Sequence, residues 1–568
     1  MCFKKKTGIP ISSYESLYET ERHCTDVTFL LLKAIFLIGL FVLIALCFPR
    51  SDIYRIINGY DDCGNVCGRE NVQIMDLLCS GKNMISKKYL LLIVIDSVTE
   101  PARRCVSDCD ADGGYKLFFN RCIRFDPLLR ERAPQGFLDE LWQDVELFRL
   151  SILWLCLLGF FSSLLVLALL WYIPRILIWT LVFGTIVICV AGTGWFWIQW
   201  HLESGASRWL YFALGSSVVC ILIGVFLAAV WKKVTLMVQL LHESGLALKS
   251  MVFLIFLPVL TILIMTAMLG TSLYLGLLIE SCGSAAVVGS SVHYVKDSLA
   301  VLTRWYNFMA LIWFYHFLLG CQHAVTAGAI TQWYFTRQDD RLQNVQSRSF
   351  TMLVRYHLGT VALGSFLLAV LLLFQWMLKI MRLITRNSRS NRRKCCCLYC
   401  CQCCVGCLQS LLDPITRKAY IFTALYGQSF FTAGKRVAKM YAENSGQMFA
   451  VDIIGSIIFI LAQLSVLVLV GFIGVRLVQN HAELYHPYVL LAIVLMIVYL
   501  ITHCCMLMYK ISIDGVYLCF CIDTEMNNGV ERPYFMSEQL QKFIQGTAKS
   551  IRPPRLRTRS NPQQEQQI

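Results

Sequence analysis

Thr28–Phe48 reads TFLLLKAIFLIGLFVLIALCF, an unbroken apolar run whose one charge is Lys33. A helix needs about 20 predominantly apolar residues to cross a bilayer, and this run has that length. Working outward, eight further segments qualify: 150–173, 176–198, 209–231, 251–279, 305–335, 357–381, 453–475 and 488–509. Their interiors hold no Asp, Glu or Arg, and Lys379 is the only charge besides Lys33. The first run reads as a permanent anchor rather than a cleaved signal, because 27 largely polar residues precede it and no small-residue cleavage site follows.

Composition agrees with the spans. Of 568 residues 57% are hydrophobic and 15% charged, against roughly 25% charged in a soluble chain, so several water-facing domains could not be covered. That excludes a soluble enzyme, a coiled coil, a disordered scaffold and a secreted disulfide miniprotein. The expected fold is an all-α polytopic membrane protein with eight to ten transmembrane helices and a disulfide-rich extracellular loop domain. The net charge of +15 then marks cytosolic loops rather than nucleic-acid binding.

Orientation follows from Lys and Arg in the loops. Lys4, Lys5 and Lys6 place 1–27 inside, and Arg552, Arg555, Arg557 and Arg559 place the 512–568 tail there too. The segment 49–148 carries 16 acidic and 13 basic residues and suits the exterior. Residues 149–381 form the main bundle and 450–511 the last spans. Between them, 382–418 holds eight basic residues against Asp413, so 382–449 is expected as a cytosolic interfacial segment. Nine crossings would strand the C-terminus outside. Either 357–381 re-enters, or 419–442 supplies a tenth span and exports the basic stretch.

The 26 cysteines divide by location. Cys63, Cys67, Cys79, Cys105, Cys109 and Cys122 lie in the exterior loop, where an even number reads as three disulfides with 15 possible connectivities. A zinc site fits less well, because the pairs are spaced C-x3-C. Cys395, Cys396, Cys397, Cys400, Cys401, Cys403, Cys404 and Cys407 follow Arg392, Arg393 and Lys394 beside a span, which suits S-palmitoylation. Reduced thiols in an interfacial loop are the plainer alternative. No His stands among them, as a zinc acyltransferase would need, and no metal site or cofactor is expected.

Three stretches point to one resemblance. The first is Arg22-His23-Cys24-Thr25-Asp26; the second runs from Asn58-Gly59-Tyr60 to Cys67-Gly68; the third runs from Gly515 to Asp523 and on to Arg532-Pro533-Tyr534-Phe535-Met536-Ser537. Between them lie Ala327–Phe335, Arg355-Tyr356-His357-Leu358-Gly359-Thr360 and Ala419–Gly427. In this order they resemble the choline transporter-like family of solute carriers. The resemblance implies ten spans, placement in the plasma membrane or an organelle membrane, and carriage of choline, with ethanolamine as a further candidate. Gln463 stands where members often carry Lys, and Asn527-Asn528-Gly529 where they usually carry Asn-Asp-Gly.

A trimethylammonium cannot be hydrogen-bonded and is held by aromatic faces. Trp305, Tyr306, Trp313 and Tyr315 share one span, with Tyr306 and Trp313 two turns apart on one face. Trp195, Trp333 and Tyr334 complete the aromatic set, though their place near span ends also suits interfacial anchoring. His316, which shares a helix face with His323, is the plausible proton-sensitive group. With Glu280 and Asp452 at span ends, no carboxylate is expected inside the membrane to bind sodium. The rival class is a receptor-like or adhesion protein that uses its disulfide-bonded ectodomain.

Overall fold

The computed structural model describes residues 22–74, 78–93, 102–109, 115–118, 120–124, 137–203, 207–288, 291–336, 345–386, 392–443, 445–479, 484, 486–527, 534–538 and 540–541. Among these, nine helical stretches are long and apolar enough to cross a membrane. The helices are α1 Val27–Cys47, the short α2 Ile53–Ile57, α3 Phe137–Tyr172, α4 Pro174–Leu202, α5 Ser207–Ser250, α6 Phe256–Glu280, α7 Ser298–Thr336, α8 Val345–Met352, α9 Leu358–Arg386, α10 Arg392–Tyr426, α11 Phe430–Glu443, α12 Ser445–Gln479 and α13 Pro487–Met526. Helices dominate because lipid offers no hydrogen bonds, so each segment must satisfy its own backbone. Pro174 and Pro487 stand in the first turns of α4 and α13, where the missing N–H costs nothing.

The exterior loop is a small four-stranded sheet, β1 Tyr89–Ile93, β2 Ala102–Val106, β3 Tyr115–Phe118 and β4 Arg121–Arg124, in the order β2-β1-β4-β3. Its six cysteines pair as Cys63–Cys79, Cys67–Cys105 and Cys109–Cys122, which resolves the 15 open connectivities to one. Gly64 and Gly68 turn the chain at φ +80° and +81°. A Cβ on Gly64 would also strike Ile74 and Val292, so the turn there requires glycine. A hairpin of β5 Ser284–Val288 and β6 Ser291–Val295 docks onto this sheet domain, with Val292 N–H donating to Asp62 O at 2.8 Å and Tyr294 Oη to Gly64 O at 3.0 Å.

Contacts mark the two ends of the bundle. At the ectodomain end lie the C-terminus of α1, the α6–α7 hairpin and the start of α13, where His486 N–H donates to Asp144 Oδ2 at 2.7 Å. At the opposite end Asp26 accepts from Thr360 Oγ1 and from the Phe430 backbone N–H, both at 2.8 Å. Gly359 admits the carbonyls of Thr25 and Asp26 so closely that a Cβ there would sit 2.3 Å from Thr25 O.

These ends divide the segment 382–449, which the sequence reading takes as one interfacial piece. α9 starts beside Asp26 and rises about 1.5 Å per residue until Trp376 meets Phe308, near the ectodomain end of α7. α10 returns alongside α9, with Arg382 donating to Gln402 at 3.0 Å, and ends buried at Ala419–Phe422. The cysteine-rich start of α10 therefore lies toward the ectodomain end, and only 427–449 lies wholly at the Asp26 end. Nor is 419–442 one helix, since it breaks at Gly427, whose φ is +65°. Residues 512–526, expected to open the tail, continue α13 and are buried almost throughout.

Candidate functional site

A cavity of about 330 Å³ lies within the bundle, bounded by α7, α9, α10, α12 and α13. That is within the range of small-molecule sites, roughly 300–1,000 Å³. Its aromatic lining is Tyr315, Tyr420, Phe459 and Tyr499, and its polar lining includes His316, His323, Asp413, Arg417, Gln463, His503 and Lys510. α7 supplies Tyr315, His316, Leu319 and His323 because these positions repeat at three- and four-residue intervals on one face. Gln463 Nε2 lies 3.3 Å from His503 Nδ1, and the Tyr499 and His503 rings stack at 5.8 Å. His316 Nε2 and His323 Nε2 are buried without a hydrogen-bond partner.

Below the cavity stands a cluster of ions that the hydropathy pattern does not announce. Lys418 is buried and bonds Asp452 Oδ1 at 2.5 Å and Asp514 Oδ1 at 3.4 Å. Arg417 pairs with Asp413 and lies 3.7 Å from Asp514 Oδ2. Tyr441 donates to Asp452, and Lys510 to Ser456 Oγ at 3.0 Å. The expectation that the membrane interior is free of carboxylates is thereby corrected: Asp413, Asp452 and Asp514 lie on α10, α12 and α13 inside the bundle. They are matched by Arg417, Lys418 and Lys510, so the cluster is close to neutral, as burial of charge requires. Sequence reading missed it because Asp452, Lys510 and Asp514 sit just beyond the apolar runs of α12 and α13, while Asp413, Arg417 and Lys418 lie on α10, which has no such run. The signal available was Asp514 four residues after Lys510, and Arg417 four after Asp413.

The aromatic residues singled out from sequence separate into groups. Tyr315 and His316 line the cavity. Tyr306 and Trp313 do share a face, but α1 fills it. Phe36 stacks on Tyr306 at 4.2 Å and meets Trp313 edge-on at 5.2 Å, while Tyr306 Oη donates to Phe36 O at 2.9 Å. Trp305 and Trp195 are more than half exposed on outward faces of α7 and α4. Trp333 and Tyr334 are buried away from the cavity, and Tyr334 Oη donates to Asp523 Oδ2 at 3.2 Å.

One aromatic box does hold a cation, and the cation is the protein's own. The Lys33 ammonium lies 3.4 Å from the Phe317 ring centroid, 4.4 Å from that of Phe314 and 5.3 Å from that of Trp313, with no hydrogen-bond partner. This lone charge in the first span is tolerated because ring faces replace part of its hydration.

Apart from Asn58–Gly68, which lies in the ectodomain, the motifs scattered through the sequence meet at the Asp26 end. Thr25 Oγ1 lies 2.7 Å from Thr360 Oγ1 and 3.0 Å from His357 Nδ1, which joins the first motif to the one on α9. Asp523 accepts from Tyr334 and from the Met536 N–H at 2.9 Å, which joins the motif of α7 to both parts of the C-terminal one. They seal the bundle below the cavity, and Tyr420 of the Ala419–Gly427 motif also lines it. Among the eight cysteines from 395, Cys400, Cys401, Cys403, Cys404 and Cys407 are exposed on α10; the side chains of Cys395, Cys396 and Cys397 lie outside the described residues, and no group of ligands that could hold a metal occurs among the described ones.

A family described as plasma-membrane choline transporter matches residues 214–525. The chain is 27% identical to choline transporter-like protein 1 of Torpedo marmorata, over 94% of each chain. It is 26% identical to the protein of that name in Rattus norvegicus, over 94% of this chain and 93% of the other. It is also 28% identical to choline transporter-like protein 3 of Bos taurus, over 92% of each.

Proposed function

Because this multi-pass membrane chain belongs to the plasma-membrane choline transporter family, we propose that it carries choline across the membrane through the cavity between α7, α10, α12 and α13, with ethanolamine as a second substrate. The observation that carries this reading is the lining itself: Tyr315, Tyr420, Phe459 and Tyr499 surround a space that also touches Asp413. Ring faces attract a methylated ammonium that has no N–H to donate to a hydrogen bond. The polar groups of Gln463 and His503 supply partners for a hydroxyl.

Transport without sodium belongs to the same proposal, on different ground from the sequence argument. Carboxylates are present, but Asp413 is held by Arg417, and Asp452 and Asp514 share Lys418. Each is already paired with a cation, which disfavours a sodium shell of oxygens built on them. The substrate's own charge lets the membrane potential draw it inward, by about 2.3 kcal/mol per 100 mV.

The test is uptake of labelled choline by liposomes containing the purified protein. Uptake should continue when sodium is replaced and should slow on depolarisation. Uptake that vanishes without sodium would overturn the coupling and leave the substrate standing. Protein that moves neither choline nor ethanolamine would overturn the substrate, and the receptor-like reading would take its place.

A further inference from the structure

We propose that Cys47 and Cys282 form a fourth disulfide, a clasp between the end of the first span and the exterior hairpin that follows α6. It rests on the geometry of the ectodomain end and not on the transport reading. Cys47 is the last residue of α1, and Cys282 follows α6 at Glu280. Both are free thiols and buried, in one small cluster with Ala300, with Cys47 Sγ 3.5 Å from Thr303 Oγ1.

The frame around the two thiols is fixed independently of them. Gly283 N–H donates to Arg50 O at 3.4 Å, Arg55 Nη1 donates to Gly283 O at 3.4 Å, and Arg50 pairs with Asp297 at 2.8 Å. Two backbone stretches far apart in the chain are thus held side by side at the point where the cysteines stand. The compartment is set by the neighbours. The hairpin after Cys282 binds the ectodomain through Asp62 and Gly64, and that ectodomain carries three disulfides. A thiol pair on the same side meets the same oxidising conditions.

The chemistry balances by exchange. Each thiol gives up its proton, the two sulfurs join, and two electrons pass to a disulfide-bearing oxidant of the class that forms the other three bonds, which leaves as a dithiol. Burial pushes the Cys282 thiol up to about 11, so little thiolate exists once the cluster has closed. Once formed, the bond is shielded from reductants by the buried cluster around it. Cys504 and Cys505, by contrast, are buried well inside the bundle and lack this neighbourhood.

The test uses the full chain, purified without reductant, alkylated with iodoacetamide in denaturant, digested and mapped by mass before and after reduction. The expected result is a peptide containing Cys47 joined to one containing Cys282, with neither cysteine alkylated before reduction. Alkyl label on both while Cys67–Cys105 stays intact would overturn the proposal, as would a link from Cys47 to any other cysteine. Cys282→Ser should expose Cys47 to alkylation. Cys47→Ser, Cys282→Ser and the double variant should lower the melting temperature in detergent by the same amount, because each removes one bond; drops that add would also overturn it.

Discussion

α4 and the first half of α5 differ from α7 and α13 in a way that hydropathy does not capture. All read as spans, yet only 12% and 6% of the apolar windows in the outer pair are buried, against 44% in each of the inner pair. On α4, Ile176, Val187, Ile188 and Trp195 are exposed, a surface only lipid would cover. On α7 and α13 the buried residues include Gln322, His323, Asp514 and Asp523. In a bilayer, apolar side chains gain nothing by turning inward from lipid. The polar and small residues are what decide which face meets protein.

The sharpest way to break this comparison is to remove one ion from the inner region. Lys418→Met leaves Asp452 and Asp514 facing each other without their shared cation. Stranding a buried charge costs about 3–5 kcal/mol, a large part of the 5–15 kcal/mol that holds a typical domain. The expected outcome is loss of the monodisperse species in detergent size exclusion, with a melting temperature far below that of the parent. A parent-like melt would show that the cluster is hydrated rather than dry.

A smaller effect is expected in the cavity, and it should appear in transport rather than in folding. Tyr315→Leu removes a ring from the lining without stranding a charge. Labelled choline uptake should weaken by about 1–2 kcal/mol of binding, roughly 5- to 30-fold, while Tyr315→Phe keeps the face and loses less. Trp313→Phe should change uptake little, because Trp313 packs on Phe36 and donates to Ser365 instead of lining the cavity. Equal losses at Tyr315 and Trp313 would move the pathway to the α1 side of α7.

Much of the fold was legible because span length is a property of one segment. Nine runs and a six-cysteine loop could be read from residues close together in the chain. The family motifs were legible too, but not that Thr25, His357, Thr360 and Phe430 form one seal, since nothing in the sequence pairs residues more than three hundred positions apart. The aromatic reading put Tyr306 and Trp313 first as the face of a pathway, with Tyr315 beside them, whereas of these only Tyr315 borders the cavity. Periodicity gives the face of a helix, and not whether Phe36 from another helix already occupies it. α10 was the hardest element: its cysteines and charges conceal a helix whose last turns are fully buried.

That helix offers a test of sidedness with a yes-or-no reading. The exposed thiols of Cys400, Cys401, Cys403, Cys404 and Cys407 should react with an impermeant maleimide added outside intact cells, because the start of α10 lies toward the ectodomain end. Protection from that reagent, together with hydroxylamine-sensitive acyl exchange at the same cysteines, would instead return the stretch to the cytosolic leaflet and restore the acylation reading.

The smallest effect is expected where the molecule looks most aromatic. Trp195 is 57% exposed on α4 and touches nothing that the cavity or the ion cluster needs. Its replacement by Leu exchanges one lipid-compatible side chain for another. A change at such a site lies within about ±0.5 kcal/mol, so the melting temperature and the half-saturating choline concentration should both stay at parent values. Only a loss of the anchoring that Trp provides at the membrane interface is expected, and it would register as lower membrane insertion and not as lower uptake per molecule inserted. A drop in uptake per inserted molecule would mean that the outer helices belong to the working part of the transporter, and the contrast between bare and buried spans would no longer separate scaffold from site.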